Sequence, residues 1–197
     1  MIKAKKSLGQ NFLIDRNILE KITNIVSIKD KHILEVGPGT GNLTSFILKN
    51  YPKEMFVIEK DDELANNLDK MFNKQITIIN DDVLNVDETS LFKEKVKVTV
   101  FGNLPYNIST EILSKWILNL KEDFWFDNLI LMFQKEVADR IVAKSNTSAY
   151  GRLSILSHWK LNVEKIFDIK PESFSPRPKI DSTLLLFTPK KKFFKIK

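Results

Sequence analysis

Residues 32–41, His32-Ile33-Leu34-Glu35-Val36-Gly37-Pro38-Gly39-Thr40-Gly41, form an apolar run that breaks on three alternating glycines. Asn42–Asn50 behind them carries a helical pattern. A strand that turns on glycine directly into a helix is the opening unit of an open α/β sheet. Working outward, Met55–Glu59 reads as a buried strand and Asp61–Phe72 as an amphipathic helix with a carboxylate-rich first turn, favourable at that end of the dipole. Ile76–Ile79 and Val96–Phe101 read as strands, and Ser109 can cap a helix running to Leu120. Leu129–Phe133 is a strand followed by a helix over Lys135–Lys144, and Asn146–Gly151 is a loop. Two late strands, Val163–Ile169 and Thr183–Phe187, flank the proline-rich stretch Lys170–Pro178, and Arg16–Val26 predicts an extra helix ahead of everything else. The alternation implies a mostly parallel, seven-stranded sheet covered by helices on both faces. The two late strands have no helix between them, so the sheet should end in an antiparallel hairpin. In such sheets ligands bind beyond the carboxyl ends of the strands.

Composition narrows the chemistry. The chain has 197 residues, 43% of them hydrophobic, with no cysteine and two histidines, His32 and His158. Disulfides and cysteine-based zinc sites are excluded, and a Ser-His-Asp or histidine-rich metal site is not expected. The basic start, MIKAKK, is not followed by the apolar core of a signal peptide, and no stretch is long enough to span a bilayer, so a cytoplasmic protein is expected. The net charge of +6 is unevenly placed: residues 1–6 carry +3, residues 170–197 carry +6, and the middle carries −3. Basic ends around an acidic centre suggest contact with a polyanion such as nucleic acid.

The loops after the strands carry the site. The glycine spacing is G-x-G-x-G, not the G-x-G-x-x-G of a pyrophosphate binder. Glu59 closes the second strand 22 positions after Gly37, close to the roughly 20-residue offset of a carboxylate that binds ribose hydroxyls. Asp82 follows the third strand, where it could accept from an adenine amino group. Adenosine without pyrophosphate points to S-adenosyl-L-methionine rather than NAD. The fourth strand ends in Asn103-Leu104-Pro105-Tyr106. An exocyclic amine on a base is a poor nucleophile, because its lone pair is delocalised into the ring. An Asn oxygen and a backbone carbonyl can accept its two N–H bonds and draw the nitrogen toward tetrahedral geometry, while an aromatic ring holds the base. Positioning then supplies the catalysis and no histidine is required.

These blocks resemble, in order, those of the KsgA/Dim family of small-subunit ribosomal RNA adenine N6,N6-dimethyltransferases. Leu8–Leu13 (LGQNFL) resembles the segment that closes over the donor, Glu35–Thr44 (EVGPGTGNLT) the glycine motif, and Asn103–Thr110 (NLPYNIST) the catalytic motif. Gln134–Val137 and Ala149–Ser154 match further blocks. Phe174–Ser182 (FSPRPKIDS) resembles the family's F-x-P-x-P-K-V-D-S loop, with Arg177 standing where many relatives have proline. The resemblance implies a Rossmann-like class I fold that binds S-adenosyl-L-methionine through Gln10, Asn11, Leu13, Gly37, Gly39, Glu59, Asp82 and Asn103. It further implies catalysis by Asn103, Leu104, Pro105 and Tyr106, with Phe174 on the other face of a flipped adenine. No metal is implied.

The implied reaction is transfer of methyl groups to N6 of adjacent adenines near the 3′ end of 16S rRNA, with a role in small-subunit biogenesis. The implied partner is small-subunit rRNA, in the 30S subunit or its precursor, and a monomer with no membrane association is expected. Residues 1–189 are expected to form the catalytic domain, with 1–30 as arm and helix. Residues 190–197 are expected to be a basic stub leading to a helical domain. Two alternatives remain at this stage. Erm-type enzymes acting on 23S rRNA usually carry NIPY and a lysine in the glycine motif, and neither is found here. A noncatalytic assembly factor would not need Asn103, Tyr106, Glu59 and Asp82 intact.

Overall fold

The computed structural model describes residues 5, 9–92, 96–120 and 124–194. The expectations for Leu8, for most of the N-terminal lysines and for Lys195–Lys197 fall outside these. In chain order the elements are β1 (Phe12–Leu13), α1 (Arg16–Thr23), β2 (His32–Val36), α2 (Asn42–Leu48), β3 (Glu54–Ile58), α3 (Asp62–Phe72) and β4 (Thr77–Ile79). They continue with β5 (Val98–Gly102), α4 (Ser109–Asn119), β6 (Phe126–Gln134), α5 (Lys135–Val142), α6 (Arg152–Lys160), β7 (Leu161–Ile169), β8 (Phe174–Ser175) and β9 (Ser182–Pro189). Short 3₁₀ turns precede β4, follow Asp87 and lead into β8.

Seven strands form one sheet in the order β4-β3-β2-β5-β6-β9-β7. The first five are parallel, and β9 runs antiparallel between β6 and β7, so the late hairpin exists but its second strand is inserted inward. Successive strand residues serve opposite faces. Leu34, Phe56, Val100 and Leu131 join a layer with Ile112 and Trp116 of α4 and Ile141 of α5. Ile33, Val57, Phe101 and Ile130 join a second layer with Leu19 of α1, Ile47 of α2 and Leu68 of α3. Burial on both faces explains why these strands read as continuous apolar runs rather than alternating ones. The chain builds outward from β2 to β4 and then crosses back to β5 on the other side of β2. That reversal leaves a crevice beyond the carboxyl ends of β2 and β5.

Aspartates set two helix starts. The Asp15 carboxylate accepts from the amides of Asn17 and Ile18, and Asp61 does the same for Glu63 and Leu64. Ser109 is not the cap it was expected to be. Helix α4 begins after Ile108 without a side-chain cap, and the Ser109 hydroxyl donates instead to the Tyr106 carbonyl at 3.3 Å. Helix α6 has no counterpart in the sequence reading because its most deeply buried residues are polar, while Leu153, Leu156 and Trp159 are only partly buried against the core. Ser154, Ser157 and Lys160 are buried while Ile155 faces solvent. The Lys160 ammonium donates to the Ile117 and Leu120 carbonyls at the end of α4, where a cation satisfies orphan acceptors and the dipole.

The sheet also buries Glu35, which accepts from the Thr44 hydroxyl at 2.7 Å. Loss of solvent pushes its pKa from 4.5 up to about 8, against the Thr44 hydrogen bond and helped by the nearby Glu59 charge. Between these two pH values the folded chain holds a proton that the unfolded chain has released. Stability should therefore fall as pH rises through that window. Glu35→Gln should flatten the fall, measurable as Tm against pH from 5 to 8; an unchanged slope would place the titration elsewhere.

Candidate donor and target-base site

A cavity opens at the β2/β5 crevice, and most residues singled out from the sequence border it: Gln10, Asn11, Gly37, Gly39, Glu59, Asp82 and Asn103 through Tyr106. Its floor is backbone. Gly37 and Gly39 have φ of +70° and +58°, a left-handed region that L side chains seldom adopt. A Cβ on Gly39 would lie 2.7 Å from the Phe12 ring. The strand β1 that carries Phe12 leans on the glycine turn, so this cover fits only over a bare backbone.

Glu59 is nearly buried. One carboxylate oxygen accepts from the Gly39 amide at 3.1 Å and the other from the Asp61 amide at 2.9 Å. Desolvation raises its pKa while these amides oppose the rise. Each oxygen keeps a second lone pair, so the group is oriented and can still accept from a diol. Asp82, at the far end, accepts from the Leu84 amide at 3.0 Å and pairs with Lys60 at 2.7 Å. Lys60 holds the Asp82 carboxyl below the usual range, so it is an anionic acceptor at neutral pH. Lys60 itself borders the cavity and was not anticipated, although it directly follows Glu59. The loop behind Asp82 is fastened from α4: the Lys115 ammonium donates to the Val83 and Val86 carbonyls and pairs with Glu88 at 2.9 Å.

Across the cavity, the Asn103 side-chain nitrogen donates to the Asn11 carbonyl at 2.8 Å. A carbonyl can only accept, so the amide must present its NH₂ to Asn11 and turn its oxygen the other way. The side chain of Asn11 donates to the Gly9 carbonyl at 3.2 Å, and Gln10 donates to Asp61 at 3.1 Å. Asp61 also pairs with Lys5 at 2.8 Å. The segment 9–12 is thereby tied to the ends of both β3 and β5. Tyr106 is half-buried, its hydroxyl 2.7 Å from that of Ser182, and burial raises its pKa, so the phenol stays protonated.

Two expected site residues lie elsewhere. Leu13 and Phe174 are 4% and 3% exposed and pair across an antiparallel two-stranded sheet, β1 with β8, that the sequence reading did not foresee. Both side chains belong to the core layer with Ile169 and Leu184 rather than to the cavity lining. Their burial is the physical correction: an aromatic in the core presents no free face to a base. The Leu13 carbonyl accepts from the Asn42 side chain at 2.8 Å.

Sheet order, the cavity at the reversal point and an acid closing the strand beside the glycine turn together define a class I methyltransferase. Within that class the chain belongs to the ribosomal RNA adenine dimethylase family, whose sequence profile matches residues 1–197. It is 67% identical over 196 residues to the ribosomal RNA small subunit methyltransferase A of Pelagibacter ubique, covering all of this chain and 74% of the relative. The protein of the same name from a Wolbachia of Drosophila simulans is 45% identical, with 96% and 69% covered. The crystal structure of a dimethyladenosine transferase from Plasmodium falciparum superposes with a TM-score of 0.77 at 30% identity, over 91% of this chain. This chain spans 64% of that transferase. The 23S rRNA methyltransferase ErmE superposes at 0.75 with 23% identity, over 94% of this chain and 72% of its own, a likeness of fold.

Proposed function

We propose that this chain transfers methyl groups from S-adenosyl-L-methionine to N6 of adjacent adenines in small-subunit ribosomal RNA, giving N6,N6-dimethyladenine. The observation that carries the reading is the hydrogen bond from Asn103 to the Asn11 carbonyl, which commits the amide oxygen to accept. The donor fits the residues present. Gly37 and Gly39 leave the floor open to close approach, Glu59 is fixed as an acceptor for ribose hydroxyls, and Asp82 is an anionic acceptor for an adenine amine. When bound, the donor supplies a methyl group already activated on a sulfonium.

The protein's part is then orientation. The Asn103 oxygen and the Leu104 carbonyl take the two N–H bonds of the target amine, which localises its lone pair. Pro105 fixes the turn between them and Tyr106, and the Tyr106 ring stacks on the extruded base. As the N–C bond forms, the methyl–sulfur bond breaks and leaves a neutral thioether; the nitrogen is then cationic with its original protons, and one of these is lost to solvent, so no side-chain base is required. Preorganised polar groups in a shielded cavity can supply most of such a rate enhancement. The 67% identity to a small-subunit enzyme favours that RNA over the large-subunit substrate of the Erm type. The cytoplasm, the 30S subunit or its precursor, and a monomeric state belong to the same reading.

The test is mass spectrometry of small- and large-subunit RNA after incubation with the chain and isotopically labelled donor. Labelled dimethyladenine in small-subunit RNA alone is expected. Label confined to large-subunit RNA would favour the Erm reading. Donor binding without label in either RNA would favour a noncatalytic factor.

A further inference from the structure

We infer that Ser182 is a positioning residue for the base-holding ring of Tyr106, an inference that rests on the function proposed above. Tyr106 sits in the loop between β5 and α4, where a ring on its own backbone could take several rotamers. Its backbone is steadied by the Ser109 hydroxyl, and the Pro105 carbonyl accepts from the Ile108 amide at 3.1 Å. Among the described residues, the one side-chain hydrogen bond of Tyr106 is made outside that turn. The ring is fixed at its far end, by the hydroxyl of a residue 76 positions along the chain.

Ser182 is suited to be an anchor. It is fully buried, and as the first residue of β9 it is paired on both sides, with Gln134 of β6 and Ile169 of β7. The next residue, Thr183, donates to Asp168 at 2.6 Å, and Asp168 pairs with Lys135 and Lys165. The backbone of this corner is held again where the Lys135 amide donates to the Asp181 carbonyl at 2.9 Å. The anchor is thus part of the sheet, while the ring it holds belongs to the catalytic loop. Two hydroxyls at 2.7 Å satisfy each other, and removing either leaves the other short of a partner in a shielded place.

A double-mutant cycle tests this. Methyl transfer would be followed in single turnovers at saturating donor and RNA for the unsubstituted chain, Ser182→Ala, Tyr106→Phe and the double variant. Each single change should slow transfer about five- to tenfold, the range of one lost hydrogen bond. The double variant should be no slower than the worse single, because the two side chains act as one unit. Donor affinity by calorimetry should stay at the unsubstituted value, while Tm should fall by a few degrees in each single variant, which leaves a buried hydroxyl unpaired, and by no more in the double variant. A rate loss in the double variant equal to the product of the singles, or a Ser182→Ala rate equal to the unsubstituted one, would overturn the role. So would a loss of rate that tracks a fall in donor affinity, since that is general loosening of the cavity. If the unsubstituted chain methylates nothing, the proposed function fails first and takes this role with it.

Discussion

Asn103→Ala should lower the single-turnover rate of methyl transfer by about 10²–10³-fold, the range seen when one preorganised polar group is removed from a reacting centre. The size follows from two losses. The amine loses its acceptor, so its lone pair stays in the ring. The Asn11 carbonyl loses its donor, so the cover above the site loses its tie to the end of β5. Asn103→Asp should be nearly as poor. A carboxylate could accept from the amine but cannot donate to Asn11, and it would meet that carbonyl with like partial charge. RNA affinity should change little in both, since shape and phosphates dominate binding. Loss of RNA binding with normal residual turnover would remove Asn103 from the reacting centre.

Gly39→Ala should weaken donor binding by at least about tenfold, or about 1.4 kcal/mol. A left-handed φ costs a side chain about 1–2 kcal/mol before any clash is counted. The new methyl would also lie 2.7 Å from the Phe12 ring. Phe12 can step aside only by turning its ring, because its backbone is held where β1 pairs with β8 through Phe12 with Ser175 and Leu13 with Phe174. The glycine turn shifts and moves the Gly39 amide away from Glu59, or the Phe12 ring swings within the cavity it borders, or β1 lifts and uncovers that cavity. Calorimetric titration with S-adenosyl-L-methionine reads each outcome; affinity at the unsubstituted level would mean the turn and its cover relax freely.

The sheet was legible because its signals are local. His32–Val36 is apolar over a strand's length, glycines follow it, and Asp61 stands at the start of an amphipathic helix. The cavity side of the site was legible for the same reason: Glu59, Asp82 and Asn103 each follow a strand that can be read alone. What escaped was set by tertiary partners. Helix α6 hides its face in Ser154, Ser157 and Lys160, whose burial makes sense only beside the carbonyl end of α4. The pairing of Leu13 with Phe174 joins segments some 160 residues apart, and a two-residue strand has no periodicity to detect. The family motif marks Phe174 as functional, yet whether its ring faces a base or the core depends on that pairing. Ser182 likewise reads only as the last residue of the F-x-P-x-P-K-V-D-S loop, with no role of its own, until Tyr106 is placed beside it.

The small β1–β8 sheet has a consequence for when the protein becomes competent. Everything beneath the cavity, from the glycine turn to Tyr106, is made within the first 106 residues, and β2 through β5 can pair as they emerge. The cover cannot. Phe12 and Leu13 have no strand to join until Phe174 and Ser175 exist, and the Ile14 amide waits for the Ser173 carbonyl at 2.8 Å. Such distant contacts form late because their loop must close first. A chain interrupted during synthesis would carry a donor floor without a roof, so the earliest-made residues of the site are among the last to be put in place.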